Sequence, residues 1–231
     1  MRPHVTCHMM SSVDGRIQSA HWGLKNPSRL FEDSAATIKA DAWIVGRTTM
    51  QEFSSKQPHR KRRGVFSIPR TDFVGDYRTK TFAVAIDPHG KCRWDSNMVD
   101  TEHVIEILTQ SVSGEYLDHL RSKNVSYLFG GKERLNLAYV LEKLGRLFPI
   151  RRVRIDGGGR VNGSFLAAGL IDEFSHIIVP AADGTMGSPA VFDVDPSPGG
   201  RRADRLRLIS VKRLPGSVLW CRYRVLDRSR R

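Results

Sequence analysis

Apolar and polar residues follow two rhythms along this chain, and the rhythms take turns. Short apolar runs bounded by turn residues predict strands over 4–10 (HVTCHMM), 42–46 (AWIVG), 81–86 (TFAVAI), 103–108 (HVIEIL), 125–129 (VSYLF), 152–156 (RVRID) and 174–179 (FSHIIV). Helical stretches fall between them. Ser28 predicts the cap of a helix over 29–40, with Glu32 and Asp33 in its early turns, where acids suit the helix dipole. A second helix is expected from Thr48 to Phe53, a third over 114–123 and a fourth over 134–147. In the fourth, Leu137, Val140, Leu141 and Leu144 share one face at helical spacing, and Pro149 stops it. Gly130 and Gly131 are expected to end the fifth strand, and a helix of small residues follows Gly157–Gly159 as far as about Gly169.

Residues 11–27, 54–64 and 181–204 are polar or rich in Gly, Pro and Asp and read as loops. Residues 205–213 and 217–226 flank Pro215–Gly216 and alternate apolar with polar side chains, the pattern of an antiparallel hairpin. Strands that alternate with helices predict an α/β fold: a mostly parallel central sheet flanked by helices, with an antiparallel C-terminal hairpin. No repeat or linker divides the chain, so residues 1–231 read as a single domain.

Composition fits that picture. Hydrophobic residues make up 40%, enough to build a core, which excludes a disordered or collagen-like chain. No apolar run approaches the roughly 18 residues of a membrane span. Met1–His4 lead straight into the first strand without a signal-type apolar segment, so the expectation is a soluble, cytoplasmic protein. Cys7, Cys92 and Cys221 are far apart and form no C-x-x-C pair; no metal is expected, and Cys7 reads as a buried thiol.

Charge adds more. With 37 Lys+Arg against 24 Asp+Glu, the net charge of +13 points to an anionic partner: nucleic acid, a nucleotide cofactor or a phosphorylated substrate. The basic residues gather at 59–63, at Arg151, Arg152 and Arg154, at 201–207 and at 228–231; a solvated face accounts for any one of these clusters.

Three segments carry candidate chemistry. Asp156-Gly157-Gly158-Gly159-Arg160-Val161-Asn162-Gly163-Ser164 sits between a strand and a helix, where glycines admit a phosphate and helix N–H groups attract it. Its G-x-G-x-x-x-G spacing is one residue longer than the dinucleotide fingerprint. Gly46-Arg47-Thr48-Thr49 pairs a glycine, a cation and two hydroxyls at another strand-to-helix junction. Ser11-Ser12-Val13-Asp14-Gly15-Arg16 follows the first strand, where α/β sheets bind ligands. The plain alternatives are, in turn, a tight strand-to-helix turn without a ligand, a helix cap with a solvated arginine, and an ordinary Asp-Gly turn.

In order, S-V-D-G-R-I, Trp22, A-D-A-W-I-V-G-R-T-T, A-I-D-P-H-G, the long segment from V-R-I-D-G-G-G to G-L-I-D-E, and I-V-P resemble the riboflavin-pathway reductase domain, over about residues 4–187. That domain is the C-terminal half of the bifunctional pyrimidine deaminase–reductase, within the dihydrofolate-reductase-like superfamily. The resemblance implies that fold, often as a homodimer, and hydride transfer from NADPH to a small heterocyclic or phosphoribosyl-type substrate. The reaction it suggests is reduction of 5-amino-6-(5-phosphoribosylamino)uracil in riboflavin biosynthesis. It also implies cofactor contacts from Gly46, Arg47, Thr48, Thr49 and the run Gly157, Gly158, Gly159, Arg160, Val161, Asn162, Gly163 and Ser164. Arg47 would favour NADPH over NADH through the 2′-phosphate. On the substrate side it implies Ser12, Asp14, Trp22 and Asp156, with Asp14 ordering the loop. By analogy with the acid early on the first helix of dihydrofolate reductases, Glu32 or Asp33 is the catalytic candidate.

Two departures stand out. The family carries an arginine where Thr37 falls, and its D-D-P-x-L-x-x-R segment is replaced by the stretch from Glu52 to Arg60. The deaminase signature is not found, so the expectation is a stand-alone reductase domain. The competing expectations are a non-catalytic nucleotide-binding protein of the same fold and, disfavoured for want of any RNA-binding or helix-turn-helix signature, a basic nucleic-acid-binding protein.

Overall fold

The computed structural model describes residues 1–55, 67–195 and 203–226. The loop expected at 54–64 lies outside these beyond residue 55, as do the basic clusters 59–63 and 228–231, and Arg201 and Arg202. The described chain runs β1 (His4–Ser11), α1 (Pro27–Ala35), β2 (Ala42–Gly46), α2 (Arg47–Phe53), β3 (Phe82–Ile86), β4 (Met98–Val99), β5 (Glu102–Thr109), α3 (Gly114–Ser122), β6 (Ser126–Gly131), α4 (Leu137–Leu147), β7 (Arg152–Ile155), α5 (Gly159–Ala167), β8 (Glu173–Ile178), β9 (Leu206–Leu214) and β10 (Val218–Val225). It folds into two units. The first holds Met1–Pro3 and Ala40–Val153, the second His4–Lys39 and Arg154–Arg231.

In the first unit, β2, β3, β5 and β6 pair in parallel, and β4 pairs antiparallel with the start of β5. The inner strands are buried along nearly their whole length: Phe82, Ala83, Val84 and Ala85 of β3 have no exposed surface. A parallel strand covered on both faces calls for such an apolar run. One core cluster gathers Val45, Met50, Trp94, Leu108, Leu117 and Leu120 among others. Helix α4 buries Val140, Leu141 and Leu144 as its spacing requires.

In the second unit, β1 and β8 pair in parallel, while β10 pairs antiparallel with both β8 and β9. The expected hairpin is therefore present, with a bulge between Arg222 and Tyr223. Met10, Ile177, Val179 and Val218 form its core, against which Trp22, Phe31 and Trp220 pack. Strand β9 keeps Leu206, Leu208, Ile209 and Val211 exposed. Across the described residues, the α/β class and the mostly parallel ladders match the sequence reading. No helix among these residues is long and apolar enough to cross a membrane.

Several boundaries differ for physical reasons. Helix α1 is capped by Asn26, not Ser28; Asn26 takes a left-handed conformation (φ 54°) and Pro27 starts the helix. The helix ends at Ala35 rather than near residue 40, because Thr37 turns its Oγ1 back onto the Ser34 carbonyl at 2.7 Å. Glu32 and Asp33 are thus in its second half, outside the first turn. Helix α4 starts at Leu137, since Asn136 caps it by accepting the Tyr139 N–H. Gly130 and Gly131 do not stop β6 but belong to it, with a register shift opposite Leu108 and Thr109. The two-residue strand β4 had no sequence signal of its own.

Truncating Leu141→Ala in α4 is expected to cost about 2–5 kcal/mol, the usual range for a fully buried leucine. Glu142→Ala, exposed on the same helix, is expected to stay within about 0.5 kcal/mol. Urea denaturation of both variants checks the pair.

Candidate active site

At the end of β1, Ser12 Oγ donates to Asp14 Oδ1 at 2.7 Å and accepts the Arg16 N–H at 3.0 Å. This is the local turn chemistry that Ser and Asp supply. Asp14 then reaches across the chain. Its Oδ1 accepts the Asp183 N–H and its Oδ2 the Gly184 N–H, both at 2.9 Å. Trp22 Nε1 donates to Asp183 Oδ2 at 3.0 Å. Ser12, Asp14 and Trp22 are therefore joined through residues 183–184. The Ser12 hydroxyl and the two amides hold the Asp14 carboxyl well below the usual carboxylate range. Below this turn, Ser11 Oγ meets His176 Nε2 at 2.7 Å.

Asp156, after β7, is half-buried and bound bidentately by Arg154, with Nε to Oδ1 at 2.6 Å and Nη2 to Oδ2 at 2.7 Å. Burial pushes its carboxyl upward and the guanidinium opposes that shift. Arg154 Nη1 also donates to the Ala35 carbonyl at 3.1 Å, at the last residue of α1. Arg154 thereby fastens Asp156 to that helix. Sequence reading counted Arg154 only within a basic cluster; its i, i+2 spacing from Asp156 on one strand face was the available signal.

The glycine turn proves less uniform than its sequence. Gly157 has φ +113°, and a Cβ there would meet the Met9 sulfur at 3.1 Å. Gly159 and Gly163 are glycines because the 190–193 segment crosses them: a Cβ would lie 2.2 Å from the Ala190 carbonyl oxygen and 1.9 Å from that of Asp193. Asn162 donates Nδ2 to the Val191 carbonyl at 2.9 Å, and Asp193 N bonds the Gly159 carbonyl. Ser164 returns its hydroxyl to the Arg160 carbonyl. Gly159 and Gly163 thus also make room for protein, a constraint with no signal in the sequence. Gly158 has nothing within 4 Å of its Cβ direction. Arg160 is exposed and Val161 half-exposed beside it.

In the first unit, Gly46 ends β2 and caps α2, and Arg47 opens that helix. Arg47 Nη1 donates to Gln51 Oε1 at 2.7 Å, one turn on. Thr48 is exposed and Thr49 half-buried. Glu32 and Asp33 are both exposed, and Asp33 faces Arg29 at 3.6 Å. Their hydrogen bonds and ion pairs do not tie them to the Ser12–Asp14–Trp22 group.

Residues 3–219 match the family model of the RibD C-terminal domain. The chain belongs to the RibD C-terminal domain family. Within it, the chain is 23% identical over 202 residues to the 2,5-diamino-6-ribosylamino-4(3H)-pyrimidinone 5′-phosphate reductase of Archaeoglobus fulgidus, covering 84% of this chain and 87% of that protein. The enzyme of the same name from Methanothermobacter thermautotrophicus is 26% identical over 212 residues, 90% of this chain and 91% of that one. Among solved structures, a pyrimidine reductase-like protein from Corynebacterium diphtheriae superposes with a TM-score of 0.71 at 18% identity, over 97% of this chain and 92% of that one. RibD of Acinetobacter baumannii gives 0.67 at 20%, over 97% of this chain and 58% of its own. The fold is that of the RibD reductases.

Two buried histidines, His8 and His103, and the half-buried His176 bear on the acid stability of this family member. His8, whose ring bonds Ser175 Oγ and Ser34 Oγ, is held down at about 4 by burial first and by the Arg154 charge second. Burial likewise lowers His103 and His176 to about 4. A depressed histidine contributes stability that is complete above its unfolded pKa near 6.5 and is lost as pH falls toward 4. The urea midpoint is therefore expected to drop between about pH 6.5 and 4, with a shallower drop in His8→Gln.

Proposed function

We propose that residues 1–231 act as one NADPH-dependent reductase domain, and that its substrate is a ribosylaminopyrimidine phosphate of the riboflavin pathway. The protein is an oxidoreductase by family, and both named relatives are reductases of such a compound. The observation that carries the reading is the open turn at Gly158. It precedes α5, whose first amides have no intrahelical partner, in a chain matched to the family almost end to end. A nicotinamide dinucleotide fits there because Gly158 leaves its Cβ direction clear, and helix N–H groups suit a pyrophosphate.

When bound, the cofactor would supply a hydride to a C=N or C=O carbon of the substrate, and the nitrogen or oxygen of that bond would take up a proton. The chain's part is binding and orientation, which provide much of the rate of such a transfer. Gly158, Gly159, Arg160 and Val161 hold the pyrophosphate, with Thr49 as a further cofactor contact. Arg47 selects the 2′-phosphate, as a half-exposed guanidinium with donors to spare can. Asp156, fixed in orientation by the bidentate Arg154 guanidinium, orients the polar edge of the substrate, and Asp14 holds the 183–184 turn. With Glu32 and Asp33 exposed, water delivers the proton. The resemblance also supports a homodimer as the working form.

The deciding experiment is a fluorescence titration with NADPH and with NADH, followed by turnover of the ribosylaminopyrimidinone phosphate and of its deaminated uracil counterpart. Micromolar NADPH binding is expected. Arg47→Ala should weaken it roughly tenfold, as loss of a charged hydrogen bond does, while leaving NADH little changed. Failure of both nucleotides to bind at millimolar concentration would overturn the reading.

A further inference from the structure

The turn after β3 and the middle of β5 bring three side chains together inside the first unit. Asp87 follows β3, Cys92 closes the turn that Asp87 begins, and Glu106 points in from β5. All three have no exposed surface. A carboxylate oxygen of each acid and the Cys92 sulfur lie within 4.8 Å of one another. Asp87 Oδ2 accepts the backbone N–H groups of Lys91 and Cys92 at 2.5 and 2.6 Å. Its Oδ1 is buried and has no hydrogen-bond partner. The Tyr116 hydroxyl lies 2.7 and 2.8 Å from the two Glu106 oxygens and 2.9 Å from the Cys92 carbonyl. Both acids are thus oriented by donors around them, and one Asp87 oxygen is left over.

Groups of one charge sign should not be buried together without compensation. Arg47, whose guanidinium bonds Gln51, is a cation that acts on Cys92. Protons offer one solution. Burial pushes Glu106 upward, and a proton it keeps can be shared with Asp87. That accounts for two of the three groups. The Cys92 thiol, which hydrogen-bonds Asp87, is pushed up by burial first and then by the charges of the two carboxyls. A thiol with two carboxylates is a ligand set suited to a borderline transition ion.

We propose that Asp87, Cys92 and Glu106 form a buried structural site for a divalent transition ion of the zinc class. The exchange balances. The ion enters, the carboxylic proton of Glu106 and the thiol proton of Cys92 leave as two protons, and the cluster keeps the same net charge. Tyr116 and the amides of residues 91 and 92 become the outer donors that hold the ligands in place. A site this closed fills as the chain folds. Its effect is to fix the 87–92 turn, whose Lys91 carbonyl accepts from Gln51, the partner of Arg47.

The test refolds the full chain from urea with Zn²⁺ or Co²⁺ and, in parallel, with a chelator. Expected are one ion per chain, about two protons released (read from the buffer dependence of the binding heat), and a thiolate-to-cobalt charge-transfer band. Cys92→Ser should abolish the band, and Glu106→Gln should weaken binding by at least about tenfold. Cobalt bound without the band, or bound equally by both variants, means adventitious ligation elsewhere and overturns the proposal. So does failure to take up metal on refolding while Glu106→Gln raises the urea midpoint, which marks a site built for a proton. Where a variant does not fold, the wild-type band and proton count decide.

Discussion

Backbone amides at the ends of buried strands must find acceptors, and in this protein aspartate side chains supply them. Asp41 Oδ2 takes the N–H groups of Arg151 and Arg152 at 2.7 and 2.8 Å, where the chain enters β7. Asp72 takes that of Phe129 in β6, and Asp172 that of Val5 in β1. Asp14 and Asp87 do the same for the turns at 183–184 and 91–92. Parallel strands need long connections that return to a strand's start. A short acid that crosslinks distant backbone lets those connections end without leaving amides unpaired. The Asp14 crosslink in this way joins Ser12 to the 183–184 turn, whose Asp183 holds Trp22.

That device explains which parts of the molecule could be read from sequence. Strands such as β3 announce themselves, because a run of Phe, Ala, Val and Ile buried on both faces has few alternatives. The apolar face of α4 was legible for the same reason, while its start was not. Asn136 caps it only because its own amide is held by the Gly130 carbonyl, a contact across a turn. The Ser28 cap failed for a related reason: Pro27 had already fixed the first helical residue, and Asn26 tolerates the left-handed conformation before it.

The candidate site divides along the same line. Ser12 and Asp14 are near in sequence, and their mutual bond is local. Asp183, which completes that group through Trp22, has no local signal. Gly159 and Gly163 look from sequence like Gly158, yet they are glycines because residues 190–193 press on them from far along the chain. Only the conformation separates a glycine that admits a ligand from one that admits protein. The triad of Asp87, Cys92 and Glu106 is the extreme case, since no spacing motif joins residues that come together through strand register.

Strand β9 gives the basic composition another meaning. It exposes Leu206, Leu208, Ile209 and Val211, and Arg207, Lys212 and Arg213 lie exposed among them. An uncovered strand with that much apolar surface is a template for another chain to join. Two copies that met edge to edge would bring like charges into register. Cations set among those apolar side chains oppose edge-to-edge pairing at this one strand. Concentrated salt would weaken that opposition, since screening reduces the repulsion and strengthens apolar association at the same time.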